Sequence, residues 1–376
     1  MNAANAGPAP VPRVPKPDPA YFRILFVSGE YPPRVGGVGD HVRQLRRALH
    51  ELGATTWVVS EAVAVGEPAA GIYRNAPGPP GYDLMATARL ATALRANVLH
   101  VQYQAGAFAA PGRLSLLPSA ARWLGFRGTV AVTFHDLAEP YLFPKAGWLR
   151  RWTVDRLRDV ADVQIYVDAA DRQRVLARRP GDAAKSAVVP VGPTVVPDSL
   201  PPRDVIRSNL GLAAGEFVVG YFGFRQASKG LAVLAAALRS EPLLAVGARL
   251  ALIGAAAPLL TGRRAEPALD PRLLAGVSLV DTGPLEEAAI SRWLAACDVV
   301  ALPYLDGAST RRGTLMVAVA HSVPVVSTIP APPSELEALG EDVLLVPPGD
   351  AAALARALRR VHDDRDLRTR LAASAR

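Results

Sequence analysis

Short apolar runs alternate with longer segments of helical periodicity along almost the whole chain. In the first half the runs are RILFVSG, TTWVVSE, NVLHVQYQ, TVAVTFHD, DVQIYVD and SAVVPVG, which begin at residues 23, 55, 97, 129, 162 and 186. Each run is short, continuous and bounded by turn-forming residues, as buried parallel strands are. Strands that alternate with helices predict an α/β domain built on a doubly wound parallel sheet.

A proline-rich segment interrupts this alternation. PVGPTVVPDSLPPRD, residues 190–204, contains five prolines, which neither a helix nor a central strand tolerates, so it predicts a linker. The alternation then restarts with FVVGYFG, ARLALIGA, VSLVDTG, DVVALPY, VPVVST and DVLLVPPGD, which begin at residues 217, 248, 277, 298, 323 and 342. We therefore predict two Rossmann-like, doubly wound domains that face a cleft.

The predicted boundaries follow from these patterns. We expect a flexible proline-rich arm over 1–20, an amino-terminal domain over 21–193, a linker over 194–204, a carboxyl-terminal domain over 205–358 and a closing helix over 359–376. The length is sufficient for two domains that each have a core. Because ligands of doubly wound sheets bind beyond the carboxyl ends of the strands, the loops after the strands should hold the functional residues.

Composition and cysteine usage narrow the class of protein. Half of the residues are apolar and a fifth are charged, which is typical of a soluble globular protein. The single cysteine, Cys297, can form no disulfide within the chain, which favours a reducing compartment. The first twenty residues lack the apolar core of a signal peptide, and no run reaches the ~18 apolar residues of a membrane-spanning helix. We therefore expect a cytoplasmic protein.

The formal net charge of +8 leaves two interpretations open. Arginine-rich segments such as LRRWTVDRLRDV, residues 149–160, could hold the protein against an anionic membrane face or attract phosphorylated substrates. They could also form solvated helix faces in a chain whose composition reflects a GC-rich genome. Acidic residues are interleaved with the arginines, which favours the second interpretation. A peripheral membrane contact stays open, and no nucleic-acid partner is predicted.

The loop EYPPRVGGVGDHV, residues 30–42, lies between the first strand and a helix that is expected from Asp40. Glycines such as Gly36 and Gly37 let a backbone approach a ligand closely, and a helix amino terminus presents unpaired N–H groups to an anion. A tight turn alone would also need glycines, and the spacing is not the dinucleotide fingerprint G-x-G-x-x-G. Ligand binding and simple turn formation are both compatible with this loop.

Two later loops carry cations. In GYFGFRQASKGL, residues 220–231, Arg225 and Lys229 flank a strand end and a helix start, an arrangement that suits a diphosphate, with an exposed basic turn as the alternative. In LPYLDGASTRRGTLMVAVAH, residues 302–321, a turn-forming run leads into an apolar helix. The backbone amides of Gly313, Thr314 and Leu315 could receive a phosphate or sugar hydroxyls. Hydrogen-bonding side chains come from Asp306, Ser309 and Thr310, and positive charge comes from Arg311 and Arg312.

Together these motifs resemble the retaining glycosyltransferases of the two-Rossmann-domain (GT-B) architecture, in the large family 4 that includes sucrose synthases and bacterial mannosyltransferases. The resemblance covers nearly the whole chain, and its segments occur in the family's order. They are EYPPRVGGVGDHV, LHVQYQ, VTFHD, VVPVGP, GYFGFRQASKGL, LALIGA, DTGPL, ACDVVALPY and AHSVPVVST.

The resemblance implies roles for individual residues. Gly36 and Gly37 match a loop that lies against the donor's phosphates and transferred sugar, and His135 of TFHD matches a histidine that faces the reacting sugar. Arg225 and Lys229 resemble the basic pair that holds the diphosphate leaving group. The turn that contains Gly283 and Leu285 resembles the segment against which the nucleotide base rests.

Three other histidines have expected positions, and the chain departs from the family in two loops. His100 is expected to be a buried neighbour, His41 a helix residue, and His321 a helix residue close to the donor loop. The family usually carries two glutamates eight positions apart, where this chain has Ser309 and Val317. The STRRG version resembles a subgroup in which amides and hydroxyls recognise the sugar. Arg225 also lies four residues before Lys229, whereas five is commoner.

These observations predict a retaining glycosyltransferase that moves a hexose from a UDP-, GDP- or ADP-sugar to a hydroxyl of a glycan, lipid or small molecule. Lys229, Arg225 and the helix start near Thr314 would stabilise the leaving diphosphate without a metal or other cofactor. Acceptor contacts are expected on the loops 103–113 and 137–148. The alternatives are an inactive sugar-nucleotide-binding protein and an epimerase or phosphorylase on the same scaffold. A nicotinamide oxidoreductase is disfavoured because neither half has the G-x-G-x-x-G turn.

Overall fold

The structure is a computed structural model that describes residues 18–33, 36–61, 67, 70–74, 83–108, 111–139, 147–197, 199–254, 270–331, 336, 339–340 and 342–373. Within these residues the chain forms two parallel sheets, each packed between helices. The predicted α/β fold with two Rossmann-like domains is therefore confirmed. Residues 1–17 of the predicted arm and most of the loop 137–148 lie outside the described residues. No described helix is long and apolar enough to cross a lipid bilayer.

The amino-terminal sheet has seven parallel strands in the spatial order β3-β2-β1-β4-β5-β6-β7. They are β1 Arg23–Ser28, β2 Thr55–Ser60, β3 Ile72–Arg74, β4 Val98–Tyr103, β5 Thr129–Phe134, β6 Val163–Tyr166 and β7 Ser186–Val188. The central strands are mostly apolar because both faces of the sheet are covered, as at Val27, which pairs with Val59 and Val101. The edge strand β3 was not predicted because three residues are too short to form a pattern.

Five α-helices among the described residues cover this sheet, namely α1 Gly37–Glu51, α2 Leu84–Ala93, α3 Leu117–Trp123, α4 Gly147–Val160 and α5 Ala169–Leu176. Right-handed crossovers place α1 on one face of the sheet and the other four on the opposite face. The two cores agree with this placement, since Val42 of α1 packs with Phe26 in one cluster, whereas Leu117 of α3 and Leu157 of α4 belong to another.

The carboxyl-terminal sheet has six parallel strands in the order β10-β9-β8-β11-β12-β13. They are β8 Val218–Phe222, β9 Arg249–Ile253, β10 Leu279–Asp281, β11 Val299–Leu302, β12 Val325–Thr328 and β13 Val343–Val346. The helices are α6 Arg203–Asn209, α7 Leu231–Leu238, α8 Glu241–Leu244, α9 Glu287–Ala296 and α10 Gly313–Ala320, followed by Ala351–Asp363 and Arg365–Ala373.

Three helix boundaries differ from the sequence-based expectation. α1 begins at Gly37, three residues before Asp40, and α6 begins inside the segment predicted as a linker. Pro202 stands at the start of α6, where a proline costs no helical hydrogen bond. The segment predicted as one closing helix from 359 consists of two helices, and the first of them already begins at Ala351.

The strand order locates the crevice of each domain. In the amino-terminal sheet the chain runs from β1 outward to β3 and then returns to β4, on the other side of β1. In the carboxyl-terminal sheet it likewise runs from β8 outward to β10 and returns to β11. β1 and β4, like β8 and β11, are therefore neighbouring strands at which the direction of the connections switches. The loops that follow such neighbouring strands diverge and leave a crevice at the carboxyl edge of the sheet. The glycine loop after β1 and both cation-bearing loops, after β8 and β11, lie at these two points.

Three contacts show that the carboxyl edges of the sheets face each other. Arg43 of α1 forms an ion pair with Glu287, the first residue of α9, and Gln44 donates to the carbonyl oxygen of Thr194 at 2.8 Å. Arg311, from the loop after β11, pairs with Asp171 in the helix that follows β6. All these segments follow strands or join the two domains, so a cleft lies between the two carboxyl edges.

Candidate active site

Two loops of the carboxyl-terminal domain are held together at the crevice. The backbone N–H of Leu305 donates to the carbonyl oxygen of Ser228 at 2.9 Å, which joins the loop after β11 to the loop after β8. Gly230 has φ +70°, and a Cβ there would overlap with the carbonyl oxygen of Pro303. Only glycine allows this close approach, so Gly230 lets the two loops pack together while the neighbouring Lys229 supplies positive charge.

Tyr304 brings several predicted residues into one cluster. Its ring is buried, with the Lys229 Nζ 5.0 Å and the Arg312 guanidinium carbon 4.7 Å from the ring centroid. Its hydroxyl lies 2.6 Å from the Oγ1 of Thr314. Burial raises the pKa of Tyr304 to about 12, so the phenol stays neutral and both cations lie against an uncharged aromatic surface. We call Lys229, Tyr304, Arg312 and Thr314 the Tyr304 cluster.

The amino terminus of α10 opens beside this cluster. Gly223 has φ +126°, and a Cβ there would come within 2.8 Å of the Thr314 methyl group, so the β8 loop lies directly on the first turn of α10. Within the described part of the chain no side chain caps α10, and Gly313 and Thr314 precede its first internal hydrogen bond. Leu315 differs from the expectation, because its N–H donates to the Arg312 carbonyl oxygen at 2.9 Å and its side chain is buried.

Arg225 does not join the Tyr304 cluster. Its guanidinium makes a two-point contact with Asp281, with Nη1 2.8 Å from Oδ2, and these hydrogen bonds hold the pKa of Asp281 below its usual value. Asp281 also accepts from the N–H of Gly283 at 3.1 Å, and Gly283 has φ +61°. Arg225 thus ties the β8 loop to the DTGPL turn, while the side chain of Leu285 packs partly against the domain core.

Several polar groups of the STRRG segment form hydrogen bonds or ion pairs within their own loop. Ser309 is buried, its Oγ accepts from the N–H of Arg311 at 3.2 Å, and its carbonyl oxygen accepts from the N–H of Arg312 at 2.9 Å. Arg312 pairs with Asp306, and Thr310 is partly exposed. Val317, at the position of the family's second glutamate, is fully buried in the core and faces away from solvent.

Arg311 has a different location from the one expected of a donor-binding residue. Its Nε lies 3.1 Å from Oδ2 of Asp168 and its Nη1 lies 3.0 Å from Oδ2 of Asp171, both buried in the amino-terminal domain. Asp168 also caps α5 through its other oxygen, which accepts from the N–H of Ala170 at 2.6 Å. Burial raises the pKa of Asp171, and Arg311 opposes that rise. Arg311 is therefore a contact between the two domains.

The amino-terminal side of the crevice carries neutral histidines. His135 follows β5, and its Nε2 lies 2.8 Å from Oε1 of Gln102 on the neighbouring strand. Burial, together with His41 and His100, lowers the pKa of His135 well below its usual value, so the ring is neutral at pH 7. With Gln102 in this orientation, Nε2–H is the donor and Nδ1 is the acceptor nitrogen.

His41 was predicted only as a helix residue, yet it contacts the candidate catalytic histidine. The rings of His41 and His135 meet edge to face with centroids 5.2 Å apart, and burial lowers the pKa of His41 to about 4. His100 is buried as expected, with its Nε2 2.8 Å from the Thr133 hydroxyl. His321 is not near the donor loop: it lies at the far end of α10 and contacts the Ser291 hydroxyl at 2.9 Å.

The two predicted glycines of the first loop have different surroundings. Gly36 has an extended backbone, and a Cβ there would overlap with the carboxylate of Glu30, a residue that sequence reasoning did not single out. Gly37 begins α1, and no heavy atom of the described residues lies within 4 Å of where its Cβ would stand. The start of α1 therefore opens onto free space at the carboxyl edge of the sheet.

Comparison with known proteins defines the class of this chain. Residues 35–193 match the family model described as Glycosyltransferase Family 4, and residues 216–364 match the model described as Glycosyl transferases group 1. With the two-domain fold, these matches identify the chain as a GT-B glycosyltransferase. Its amino-terminal half is a Glycosyltransferase Family 4 domain and its carboxyl-terminal half a Glycosyl transferases group 1 domain. A search of curated proteins found no match.

Solved structures show the same fold over almost the whole chain. Sucrose-phosphate synthase (tll1590) from Thermosynechococcus elongatus is 20% identical, with a TM-score of 0.66 and coverage of 94% of this chain and 93% of that chain. HepE from Anabaena, solved in complex with UDP-glucose, is 19% identical, with a TM-score of 0.66 and the same coverage. A glycosyltransferase from Rickettsia africae is 16% identical, with a TM-score of 0.65 and coverage of 94% and 92%.

Proposed function

We propose that this glycosyltransferase transfers a hexose from a nucleoside diphosphate sugar to a hydroxyl acceptor with retention of the anomeric configuration, and that it needs no metal ion. The observation that carries the proposal is the Tyr304 cluster, where Lys229 and Arg312 lie beside the uncapped start of α10. Cations and helical N–H groups that converge on one point form a site for a diphosphate.

The proposed chemistry uses this charge on the leaving group. As the bond between the anomeric carbon and the diphosphate oxygen breaks, that oxygen gains negative charge and the sugar becomes oxocarbenium-like. Lys229 and Arg312 stabilise the departing diphosphate, together with the amides of Gly313 and Thr314. The acceptor hydroxyl attacks the face that the diphosphate leaves, and its proton passes to a departing phosphate oxygen. These fixed cations take the place that a divalent ion would otherwise fill.

We assign the opposite wall of the cleft to the sugar. Gly37 leaves space beside the start of α1, and the neutral His135 offers Nδ1 as an acceptor for a sugar hydroxyl. Ser309 is engaged within its own loop and Val317 is buried, so sugar recognition by the amides and Thr310 of the STRRG segment replaces the paired glutamates. HepE was solved with UDP-glucose, which makes a UDP-sugar the first donor to test, with GDP- and ADP-sugars next.

The direct test is nucleoside diphosphate release during incubation with a panel of UDP-, GDP- and ADP-sugars. A transferase should release the diphosphate from one donor at a slow basal rate, equally with and without EDTA. Proton NMR of the first product formed should show the anomeric configuration of the donor. Thermal stabilisation by a donor without any release would instead support an inactive binding protein, and a changed sugar at constant diphosphate would support an epimerase.

A further inference from the structure

Three of the five tryptophans of the chain lie on the surface of one pair of helices. Trp123, the last residue of α3, is 78% exposed, and Trp148 and Trp152 of α4 are 76% and 44% exposed. By contrast, Trp293 is buried in the carboxyl-terminal core. Large aromatic side chains seldom stay in water in a monomeric protein, and a concentration of them indicates a surface that meets a partner.

α4 separates its inward and outward residues cleanly. Val154 and Leu157 pack into the amino-terminal core, whereas Trp148 and Trp152 lie one helical turn apart on the opposite side. Arg151 lies between the two tryptophans in sequence, and its side chain is 69% exposed. The outward side of α4 thus combines aromatic rings with positive charge.

α3 contributes to the same surface. Arg156 of α4 donates to the Ser119 hydroxyl of α3 at 3.1 Å, and its guanidinium lies 5.6 Å from the Trp152 ring centroid. The two helices follow successive strands, so right-handed crossovers place them on the same side of the sheet. Leu116, at the start of α3, is also exposed. We call the exposed residues Leu116, Trp123, Trp148 and Trp152 the tryptophan face.

The two segments that carry the tryptophan face have a net positive charge. Residues 111–127 and 147–160 contain seven arginines, two aspartates and no lysine or glutamate. Two further carboxylates, of Glu139 and Asp162, pair with Arg151 and Arg122. With these included, the two segments keep an excess of three positive charges, and leaving out the buried Arg158 together with its partner Asp155 does not change that number.

We propose that the tryptophan face docks onto the surface of an anionic lipid bilayer. Tryptophan prefers the boundary between hydrocarbon and headgroups, where the ring is shielded and the indole N–H stays hydrated. Arginines beside it are drawn to the negative surface potential of anionic lipids. The rings project from two adjacent helices rather than from a groove, so a fluid plane accommodates them without a matching pocket. This docking is independent of the proposed transfer reaction.

The test uses the whole chain with vesicles of phosphatidylglycerol and phosphatidylcholine, and with vesicles of phosphatidylcholine alone, in flotation assays. We expect the protein to float with the anionic vesicles, at least about tenfold more weakly with the neutral ones, and less at high salt because exposed charges are screened. Tryptophan fluorescence should shift to shorter wavelength on binding. Absence of binding to anionic vesicles overturns the proposal.

Matched variants test the surface itself. Trp148→Ser combined with Trp152→Ser should reduce vesicle affinity by about tenfold or more, whereas Leu244→Ser, at a 59% exposed residue of the other domain, should not. Arg151→Gln should weaken binding to anionic vesicles, whereas Arg47→Gln should not. Arg47 is a matched control because it is also 69% exposed and also paired with a glutamate. Circular dichroism shows that each variant is folded.

Other partners for the face give different outcomes. If the tryptophan variants convert a dimer into a monomer in light scattering and leave vesicle binding unchanged, a second copy of the chain covers the face and the proposal is wrong. Equal vesicle affinity of the tryptophan variants and the Leu244→Ser control would overturn it as well. Binding to polyglutamate or RNA without binding to anionic vesicles would assign the surface to an acidic macromolecule instead.

Discussion

The two walls of the cleft have the same topology and opposite chemistry. In each domain the crevice lies between two strands at a switch of direction, β1 and β4 in one and β8 and β11 in the other. One wall presents the neutral rings of His41 and His135, and the other presents the cations Lys229 and Arg312 around Tyr304. Strand order thus determines where a site lies, and loop residues determine which ligand it attracts.

The difference matches the two parts of the proposed donor. A diphosphate needs compensating charge, which the carboxyl-terminal wall concentrates in one loop pair. A sugar that becomes positive in the transition state would be repelled by a charged imidazolium, and burial keeps both histidines uncharged. Substitutions in each wall, and at the contact between the domains, should therefore have different effects.

Loss of Lys229 should reduce donor turnover most strongly. Lys229→Ala removes a fixed cation from the Tyr304 cluster, and we expect kcat/KM for the donor to fall by about 10²–10³-fold. Steady-state kinetics of diphosphate release measure this effect, and Lys229→Arg should recover part of the rate. Arg47→Ala, at an exposed arginine of α1, serves as a surface-charge control. Unchanged kinetics in Lys229→Ala would remove Lys229 from the diphosphate site.

The neutral state of His41 should appear as a pH dependence of stability. The folded chain keeps this ring unprotonated down to a pKa of about 4, whereas the unfolded chain binds a proton below about pH 6.5. Its stabilising contribution is therefore complete above pH 6.5 and declines as the pH falls toward 4, by about 3 kcal/mol.

Urea unfolding of the wild type and of His41→Gln across this pH range measures the effect. The variant should lose less stability on acidification than the wild type. Parallel curves for the wild type and His41→Gln would show that the buried ring does not set the pH response.

Arg311 should affect stability rather than donor affinity. Arg311→Ala leaves Asp168 and Asp171 buried without their cross-domain partner, which we expect to cost about 2 kcal/mol, since the arginine itself is partly exposed. Arg174→Ala is the matched control because Arg174 also pairs with Asp171 but within one domain and in a more exposed position. If Arg311→Ala weakened donor binding and left the free energy of unfolding unchanged, Arg311 would instead belong to the donor site.

His135 should have the smallest effect among these changes, and a selective one. His135→Ala removes one hydrogen-bonding ring from the sugar side, so we expect kcat to fall by about tenfold with little change in donor Kd. Isothermal titration with a donor and steady-state kinetics separate the two constants. His362→Ala, in the other domain, should leave both unchanged. Full activity in His135→Ala would exclude this histidine from the reaction.

Local sequence patterns were sufficient for the framework of the molecule. Continuous apolar runs identify buried parallel strands, and their alternation with helical periodicity requires two doubly wound sheets. That order alone puts the loops with Gly37, Lys229 and Thr314 at the carboxyl edges. The pattern missed β3 and the start of α1, because a three-residue edge strand and a glycine-rich helix start lack the periodicity on which such predictions depend.

The partners of the charged residues depended on the tertiary structure. Arg225 meets Asp281 from 56 positions away, and Arg311 meets Asp171 from 140 positions away and in the other domain. No local pattern reports such distances, so Arg225 and Arg311, which the sequence suggested for the donor site, instead tie loops and domains together. Short-range periodicity was sufficient to predict which elements form and where the loops between them lie. Long-range packing, which short-range periodicity does not report, decided which carboxylates Arg225 and Arg311 meet and left Lys229 and Arg312 beside Tyr304.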